Sequence, residues 1–269
     1  MFKDITIGQY IYGTSPLHKM EAWVKIVLTL IYAAVIFALK TPAAYAVYII
    51  FTAVVVAVST VPEKMLIKGL KPLLWLFTFT TLFNLFLTPG DALLSANILG
   101  LTIKISRDGV IASIYLAMRL SLLVIGTSIL TLTTAPLQLT DGIEKLLKPL
   151  KRFNVPVDEI AMMMSIALRF IPTIGEEAQR LMKAQMARGA DMESGGIFKR
   201  AKAMIPIMIP LLTSAFRRAD DLAVAMDSRC YNGGIRTRMK VTHAGKRDAA
   251  ASIILLAVSA AAVIGNFIF

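Results

Sequence analysis

The chain has 269 residues, of which 57% are hydrophobic, and a mean hydropathy of +0.69. This hydropathy is high for a soluble protein and indicates a protein of the lipid bilayer. The chain contains one cysteine, Cys230, which excludes a disulfide within the chain. Its two histidines, His18 and His243, lie far apart in the sequence and argue against a metal site built on His and Cys.

The net charge of +12 is concentrated in one part of the chain, because residues 135–247 hold 19 of the 29 Lys and Arg residues and 11 of the 17 Asp and Glu residues. A basic segment could bind nucleic acid. In an apolar chain it is more typical of the cytoplasmic side of a membrane protein, where Lys and Arg accumulate beside lipid headgroups. We therefore expect the lipid bilayer as a partner and no nucleic acid.

Five segments are apolar and about as long as a bilayer crossing, which needs about 20 residues. In chain order they are Trp23–Leu39, Ala43–Val61, Leu73–Leu87, Val110–Leu132 and Ala249–Phe269. Between the third and fourth segments, the alternating stretch LTIKI (Leu101–Ile105) predicts a short strand or a hairpin.

The distribution of basic residues predicts the orientation of these spans. The Glu63–Lys71 loop carries three lysines, whereas the sequence after Asp248 carries no charge. By the positive-inside rule, five crossings with a cytoplasmic N-terminus place the basic stretches inside and the C-terminus outside. The predicted hairpin is then extracellular.

The segment Ala135–Arg247 is too long for a structureless connection and is expected to form three helices on the cytoplasmic side. The first starts at Thr140 as N-cap and stops near Pro149, and the other two are long and carry one apolar stripe each. The chain is thus expected to be an all-α membrane protein, with spans in residues 1–134, cytoplasmic-side helices in 135–247 and a last span in 248–269. These parts are expected to form one integrated unit.

The second and third of these helices share one design. Each has an apolar half that contains proline, then a charged half, then an arginine between small residues and a glycine-containing stop. An offset of 41 residues aligns the two arginines and indicates a weak internal repeat. The aligned charges have opposite signs, which allows ion pairs across the helices, although pairs within each helix at i,i+4 are the simpler interpretation. The residues concerned are Glu176, Glu177 and Arg180 in one helix and Arg217, Arg218 and Asp221 in the other.

The sequence contains no phosphate-binding loop of the form GxxxxGK[ST] or GxGxxG, and neither histidine has an adjoining Ser or Cys that would suggest a nucleophile–base pair. No catalytic residues are therefore expected. Arg119 lies inside the fourth span, where a charge is costly. We expect it to have a structural role and to bond backbone carbonyls or a polar residue such as Asn84.

The two arginines at the predicted helix ends are the strongest functional signal. They lie in Ala187-Arg188-Gly189 and in Ser228-Arg229-Cys230. A single cation at a helix C-terminus is favoured by about 0.3–1 kcal/mol and needs no further role. Two such arginines indicate docking, because small neighbours leave each guanidinium unshielded and its planar fork suits partner carboxylates. Two equivalent ends predict two equivalent sockets, as a dimer of soluble subunits would supply.

The chain strongly resembles the transmembrane T component of energy-coupling factor (ECF) transporters, which import vitamins and metals into prokaryotes. The resemblance extends over nearly the whole length and is carried by four stretches, IGQYIYGTSPLHKM, MRLSLLVIGTSILTLTTAPLQLTDGIEKLLKPL, VPVDEIAMMMSIALRFIPTIGEEAQRLMKAQMARGAD and SRCY. In that family, two Ala-Arg-Gly-like motifs end the coupling helices and dock onto two ATP-binding-cassette ATPases. Ala187-Arg188-Gly189 matches this pattern, whereas Ser228-Arg229-Cys230 keeps only the arginine.

The resemblance implies a non-catalytic subunit in the cell membrane that transmits the motion of two ATPases to a substrate-binding S component for vitamin uptake. ATP would be bound by the ATPases, so that this chain itself would need no cofactor and no metal. Ten of the 14 methionines lie between Met162 and Met239. Methionine-rich faces adapt to several partners, which is consistent with interchangeable S components.

Two other functions remain open at the level of the sequence. A permease with its own translocation path would need a polar route through the spans, for which only Arg119 and Asn84 are candidates. A membrane-embedded lipid enzyme would need convergent carboxylates or histidines. The acidic pairs Asp158-Glu159 and Glu176-Glu177 have simpler uses at a helix start or in ion pairs.

Overall fold

The computed structural model describes residues 10–87, 92–98, 101–190, 196–233 and 245–268. The described chain forms two compact units. One contains Gly8–Ile143 together with Thr242–Phe269, and the other contains Glu144–Val241. We call them the membrane unit and the long-helix unit.

The membrane unit consists mainly of apolar helices and one hairpin. It also includes the first part of α6 (Pro136–Leu147). The elements are α1 (Ala22–Ala38), α2 (Pro42–Ser59), α3 (Glu63–Leu70), α4 (Leu73–Leu87), β1 (Ala92–Ile98), β2 (Leu101–Ser106), α5 (Arg107–Thr133) and α9 (Lys246–Ile268). The predicted hairpin is confirmed: β1 and β2 pair antiparallel, with Ile98 opposite Leu101 and Asn97 opposite Thr102.

Three of these helices are long and apolar enough to cross a bilayer by themselves, namely Pro42–Ser59, Arg107–Thr133 and Lys246–Asn266. A fourth crossing is possible where α3 and α4 form a pair bent by 44°, and Ala22–Ala38 is apolar but has only 17 residues. The all-α membrane architecture is confirmed, and every predicted span corresponds to a helix. The end of the last predicted span, Phe269, lies outside the described residues.

The stretch Glu63–Lys71 is a helix rather than the predicted loop. Its acidic residue, Glu63, stands in the first turn of α3, and Lys68 stands in the last turn. Both charges are favourable at those ends of a helix dipole, and Pro62 fixes the chain direction just before the first turn. This stretch is therefore a separate short helix that precedes α4, and the chain bends between the two helices.

Tyrosines from α1 and α2 form the centre of the membrane unit. The side chains of Tyr32, Tyr45 and Tyr48 are buried, and Tyr32 and Tyr48 stack with their centroids 5.5 Å apart. Each buried hydroxyl has a partner: Tyr32 contacts Thr52 at 2.8 Å, and Tyr48 contacts Ser259 of α9 at 2.7 Å. These bonds fix the positions of three helices, because an unpaired hydroxyl would be costly in an apolar interior.

Arg119 of α5 contacts the end of α1. Its guanidinium donates to the Leu39 carbonyl at 3.3 Å and to the Tyr45 hydroxyl at 3.2 Å, and it lies 5.8 Å from the centre of the Phe37 ring. The prediction of a structural role bonding carbonyls is confirmed, but the polar partner is Tyr45 and not Asn84. A helix end leaves backbone carbonyls without intrahelical partners, and Arg119 supplies a donor for one of them.

The N-terminal segment contains a contact that the sequence did not reveal. The Ser15 hydroxyl lies 2.7 Å from His18 Nδ1, and His18 Nε2 lies 3.0 Å from the Ile11 carbonyl. The expectation that no serine adjoins a histidine was therefore wrong. A carbonyl accepts only, so Nε2 carries the proton and Nδ1 accepts from Ser15. Both ring nitrogens of the buried His18 are engaged, which ties Ile11, Ser15 and His18 together. His243 lies outside the described residues.

The long-helix unit is helical in its described residues. Its elements in chain order are α6 (Pro136–Leu147, shared with the membrane unit), a 3-10 turn (Lys148–Phe153), α7 (Val157–Ala187) and α8 (Ile197–Asp227). The expected stop near Pro149 is confirmed. Thr140 is not the N-cap of α6, because the helix already begins at Pro136 and the Thr140 hydroxyl donates back to the Leu137 carbonyl. Proline is favoured in the first turn, where its missing N–H costs nothing.

Candidate functional site: the two arginine helix ends

The C-terminus of α7 is closed by two backbone hydrogen bonds around Arg188. The amide of Ala190 donates to the Gln185 carbonyl at 3.0 Å, and the amide of Gly189 donates to the Met186 carbonyl at 3.0 Å. Gly189 has a φ of 85°, in the left-handed region. This pattern is the Schellman motif, in which a left-handed residue turns the chain back and satisfies the last carbonyls of the helix.

The C-terminus of α8 repeats the same bonds 41 residues later. The amide of Tyr231 donates to the Met226 carbonyl at 3.2 Å, and that of Cys230 donates to the Asp227 carbonyl at 2.9 Å. Cys230 has a φ of 56° and occupies the left-handed position that Gly189 occupies in α7. The weak internal repeat is thus confirmed at the level of the backbone, and it places Arg188 and Arg229 in equivalent positions directly before the turn.

The second motif departs from Ala-Arg-Gly in sequence but has the same shape. The Ser228 hydroxyl donates to the Ala225 carbonyl in the preceding turn at 3.0 Å, so its polar atom is directed at its own helix. With its hydroxyl bonded to its own helix, Ser228 offers a partner only a small side chain, as Ala187 does. Of the predicted stop residues after α8, Gly233 also has a positive φ, of 68°, and Gly234 lies outside the described residues.

Both arginines are exposed within this chain, and so are the small residues beside them. Neither guanidinium has an intramolecular acceptor in the described ranges. A long cationic side chain with small neighbours at a helix tip can enter a recess that a bulkier tip could not. The geometry therefore offers two projecting guanidinium groups on identical backbones.

The charges around the two arginines differ. Arg188 follows Arg180 and Lys183 in the last turns of α7, whereas the last turns of α8 contain three acids, Asp220, Asp221 and Asp227. The end of α7 is thus uniformly basic, and Arg229 is a single cation on an otherwise acidic helix end. The two ends have one shape and two different electrostatic surroundings.

Helices α7 and α8 pack against each other and are joined by an ion pair. Arg218 Nη2 of α8 lies 2.5 Å from Glu177 Oε2 of α7, and both side chains are partly exposed. The pair has the same offset of 41 that aligns the two arginines. The simpler interpretation, with Glu176 pairing with Arg180 and Arg217 with Asp221 inside each helix, is wrong for the described contacts. These four residues are exposed, and in the described ranges only Glu177 and Arg218 of the six charged residues meet.

A second ion pair holds the start of α7. Lys151, in the 3-10 turn, binds the carboxylate of Asp158 in the first turn of the helix. Asp158 also lies where a negative charge is favoured by the helix dipole. The stretch before α7 is therefore fixed to the helix that carries Arg188 at its other end.

The apolar face of α8 is exposed within this chain. Its large side chains recur at helical spacing, and the most exposed of them, Phe216, shows 64% of its surface. The members are Ile205, Met208, Ile209, Leu212 and Phe216. An apolar stripe of this size on a helix is expected to be covered by lipid or by another protein.

The chain is similar to known proteins over most of its length. The family model CbiQ, described as cobalt transport protein, matches residues 13–241. The energy-coupling factor transporter transmembrane protein EcfT of Clostridium kluyveri is 49% identical over 259 residues, covering 95% of this chain and 94% of the relative. The EcfT of Ruminiclostridium cellulolyticum is 51% identical, with 89% of each chain covered, and that of Bacillus subtilis is 42% identical, with 87% of each covered.

The apolar helices and these similarities define a multi-pass membrane protein of the transporter class. More particularly, the chain belongs to the family of transmembrane T components of ECF transporters. The resemblance inferred from the sequence motifs is thereby confirmed.

Proposed function

We propose that this chain couples two ABC-type ATPase subunits to a substrate-binding S component, and that each ATPase receives one of the two arginine helix ends. The observation that carries the proposal is the repetition of one exposed Schellman turn after Arg188 and after Arg229. The docking residues are Ala187, Arg188, Gly189, Ser228, Arg229 and Cys230. The chain itself is non-catalytic and binds neither ATP nor the vitamin or micronutrient.

Docking is based on the guanidinium groups. An arginine that loses its water in a partner's acidic recess makes paired, charge-assisted hydrogen bonds and can dominate an interface. The sequence predicts two equivalent sockets, but the two helix ends differ in their surrounding charge. We therefore infer sockets of one shape that differ in charge. The socket for α7 is acidic throughout, whereas the socket for α8 combines acids for Arg229 with basic residues for Asp227.

Transmission of the ATPase motion depends on the two long helices, α7 and α8. Each has 31 residues, which corresponds to about 46 Å at 1.5 Å per residue. Their mutual packing and the Glu177–Arg218 ion pair let a displacement of one arginine end move both helices together. The exposed apolar face of α8 receives the S component or lipid, and Met208 in this face lets interchangeable S components pack there.

The same proposal fixes the location. The protein lies in the cell membrane of a prokaryote, with its N-terminus and both arginine ends on the cytoplasmic side, where ATP is available. This orientation agrees with the positive-inside rule applied to Lys64, Lys68 and Lys71.

No observation in the described residues favours the two alternatives. A path through the spans would use polar groups, yet the guanidinium of Arg119 is occupied by Leu39 and Tyr45. For a lipid enzyme, the carboxylate of Glu177 is paired with Arg218, and that of Asp158 is paired with Lys151.

The test uses retention of the two ATPases by the tagged chain, together with vitamin uptake. We expect R188E to weaken one ATPase contact and R229E the other, because a reversed charge is repelled by the socket. The double variant should abolish uptake. K199E is the matched control, since it makes the same change of charge on an exposed residue at the start of α8, away from both arginine ends, and it should retain both ATPases.

The native cysteine offers a direct readout of docking. Cys230 is exposed and follows Arg229, so ATPase binding should protect it from a maleimide reagent. A cysteine placed at exposed Lys199 in a Cys230→Ser background should stay reactive. If the double arginine variant assembles and transports normally, or if Cys230 reacts equally with and without the ATPases, the coupling proposal is wrong.

A further inference from the structure

The membrane unit contains an apolar crevice between α1, α2, α5 and α9. It has a volume of about 420 Å³. Towards one end, α2 and α9 are held together by the Tyr48–Ser259 hydrogen bond of 2.7 Å. Towards the other end, its exposed lining residues are Val54 and Val58 of α2 and Ile254 of α9, so the crevice opens sideways between these two helices. In a spanning protein that opening faces lipid.

The hydroxyl groups in the crevice are already satisfied by the protein. Thr29 donates to the Lys25 carbonyl at 2.8 Å, and Thr133 donates to the Ile129 carbonyl at 2.7 Å. Tyr32 and Thr52 bond each other at 2.8 Å. A site for a small polar molecule needs convergent polar groups that are free to bind it, and the donor of each of these Thr hydroxyls is already used. The interior therefore suits a hydrocarbon chain.

Two basic residues stand at one end of the crevice. Lys25 lines it and is only 5% exposed. Its ammonium donates to the Thr133 carbonyl at 2.9 Å and to the Thr134 hydroxyl at 3.3 Å. An ammonium has three donors, so one has no acceptor among the described residues. Arg247 lines the same cavity from α9 and is exposed.

Two acids, Glu21 and Asp248, lie near this end of the crevice, but neither of them lines it. Both carboxylate oxygens of Asp248 accept backbone hydrogen bonds, from Glu21 at 3.1 Å and from Gly245 at 2.7 Å. The bond to Glu21 also shows that α1 and α9 begin side by side. Lys25 and Arg247 thus lie at the same end of the crevice. From there to Tyr32 the distance along α1 is about 10 Å, which is most of the thickness of one bilayer leaflet.

We propose that this crevice binds one anionic phospholipid. The phosphate contacts Arg247 and the remaining donor of Lys25, and the part of an acyl chain nearest the headgroup lies between α2 and α9. Amphiphile chemistry matches the crevice because the apolar interior ends in two cations. Bound lipid fills the gap between α2 and α9 and stabilises the ends of α1 and α9. In the proposed orientation, the starts of α1 and α9 lie on the cytoplasmic side, so the lipid belongs to the inner leaflet. Only this choice of leaflet rests on the proposed function.

The test measures lipid retention by the full-length chain in detergent, by native mass spectrometry. Phosphatidylglycerol and phosphatidylcholine with identical acyl chains are added at equal concentration, and inorganic phosphate is added in a third arm. We expect selective retention of phosphatidylglycerol, and R247Q should weaken it about fivefold, as expected for one basic residue at an anionic lipid surface. K246Q removes the neighbouring charge, which is absent from the cavity lining, and should have a smaller effect.

Two further variants fill the crevice. A251F places a ring inside it and should abolish retention of phosphatidylglycerol, whereas I253F, on the exposed side of α9, should not. V58F, on the opposite wall, repeats the test in case A251F does not fold, and unfolding temperatures without lipid identify that case.

The proposal fails if both crevice-filling variants fold and retain phosphatidylglycerol like the unaltered chain. It also fails if the two lipids are retained equally, if R247Q and K246Q have equal effects, or if inorganic phosphate is retained as well as phosphatidylglycerol is. Since none of these measurements uses ATPases or transport, a negative result leaves the coupling proposal untouched.

Discussion

Cys230 shows how a residue that differs from a sequence motif can still form the same structure. With a φ of 56° it adopts the conformation for which glycine is preferred, and the hydrogen bonds of the turn are those that surround Gly189. A side chain in the left-handed region costs about 1–2 kcal/mol. The second helix end is therefore built on a strained residue, and the first is not.

This difference gives a prediction at the level of single residues. Cys230→Gly should stabilise the end of α8 by about 1 kcal/mol, and Gly189→Ala should destabilise the end of α7 by a similar amount. Hydrogen exchange at the amides of Tyr231 and Ala190 would measure the two changes. In each turn, this amide donates to the carbonyl five residues earlier.

The control for this prediction is Ala225→Gly, inside α8, where glycine should destabilise the helix by about 1 kcal/mol. Faster exchange at Tyr231 in the Cys230→Gly variant would contradict the assignment of strain to Cys230.

Arg119 illustrates a charge whose role depends on a helix end. α1 has 17 residues and stops at Ala38, and the chain then turns into α2. The carbonyl of Leu39 accepts from Arg119, while the amides of Lys40 and Thr41 donate to the side chain of Asn266 in α9 at 2.9 and 3.1 Å. Two distant helices thus satisfy the backbone of this turn, as an apolar environment requires.

At the level of elements, the packing of α7 on α8 is supported by the Glu177–Arg218 ion pair. We expect Glu177→Arg and Arg218→Glu each to weaken this packing, and the double variant with exchanged charges to restore much of it. The side chains are 27% and 37% exposed, so solvent screening limits the coupling energy to about 0.5 kcal/mol.

A double-mutant cycle on thermal unfolding of the purified chain at low salt would measure this coupling. The same cycle between Glu176 and Arg218 is the control, because Glu176 has no contact with Arg218 among the described ion pairs. A coupling energy of zero at low salt, or an equal value for the control pair, would show that the contact does not hold the helices.

The short helix α3, in the bent pair with α4, is another case in which packing between elements decides the structure. The three lysines Lys64, Lys68 and Lys71 are exposed, while Leu66 on the other side of α3 is buried. A polar stretch with one buried apolar residue does not distinguish a loop from a short amphipathic helix, and the neighbouring hydrophobic cluster of Val61, Ile129 and Leu132 decided the outcome.

At the level of the whole molecule, the proposed orientation can be tested with the single native cysteine. Cys230 is exposed, and it should react with a membrane-impermeant maleimide only when the cytoplasmic side is accessible, as in inverted vesicles. With Cys230 changed to Ser, a cysteine at exposed Lys40, in the turn between α1 and α2, should react only from outside. The two sites are matched because each is exposed at the end of a helix.

Labelling of Cys230 in intact cells, with the Lys40→Cys site unreactive, would invert the orientation and contradict docking to cytoplasmic ATPases. Measurement in the absence of the ATPases keeps this test separate from the protection of Cys230 by docking.

Except for α3, the helices could be predicted from the sequence, and so could the hairpin and the two arginine ends. Each of these depends on residues close together along the chain: apolar runs as long as a bilayer, alternation in Leu101–Ile105, and a left-handed stop after Arg188. Such local patterns specify backbone geometry before any helix meets another. The offset of 41 could be found in the same way, because it compares one local pattern with another.

Only the tertiary structure decided which distant groups meet. Arg119 with Leu39, Ser15 with His18, Glu177 with Arg218 and Lys25 with Thr133 are all chemically ordinary pairs, and the sequence offers other partners for most of them. The choice depends on which helix faces come together. That is set by the burial of whole apolar surfaces, and polar groups left in the apolar interior then bond whatever lies within reach.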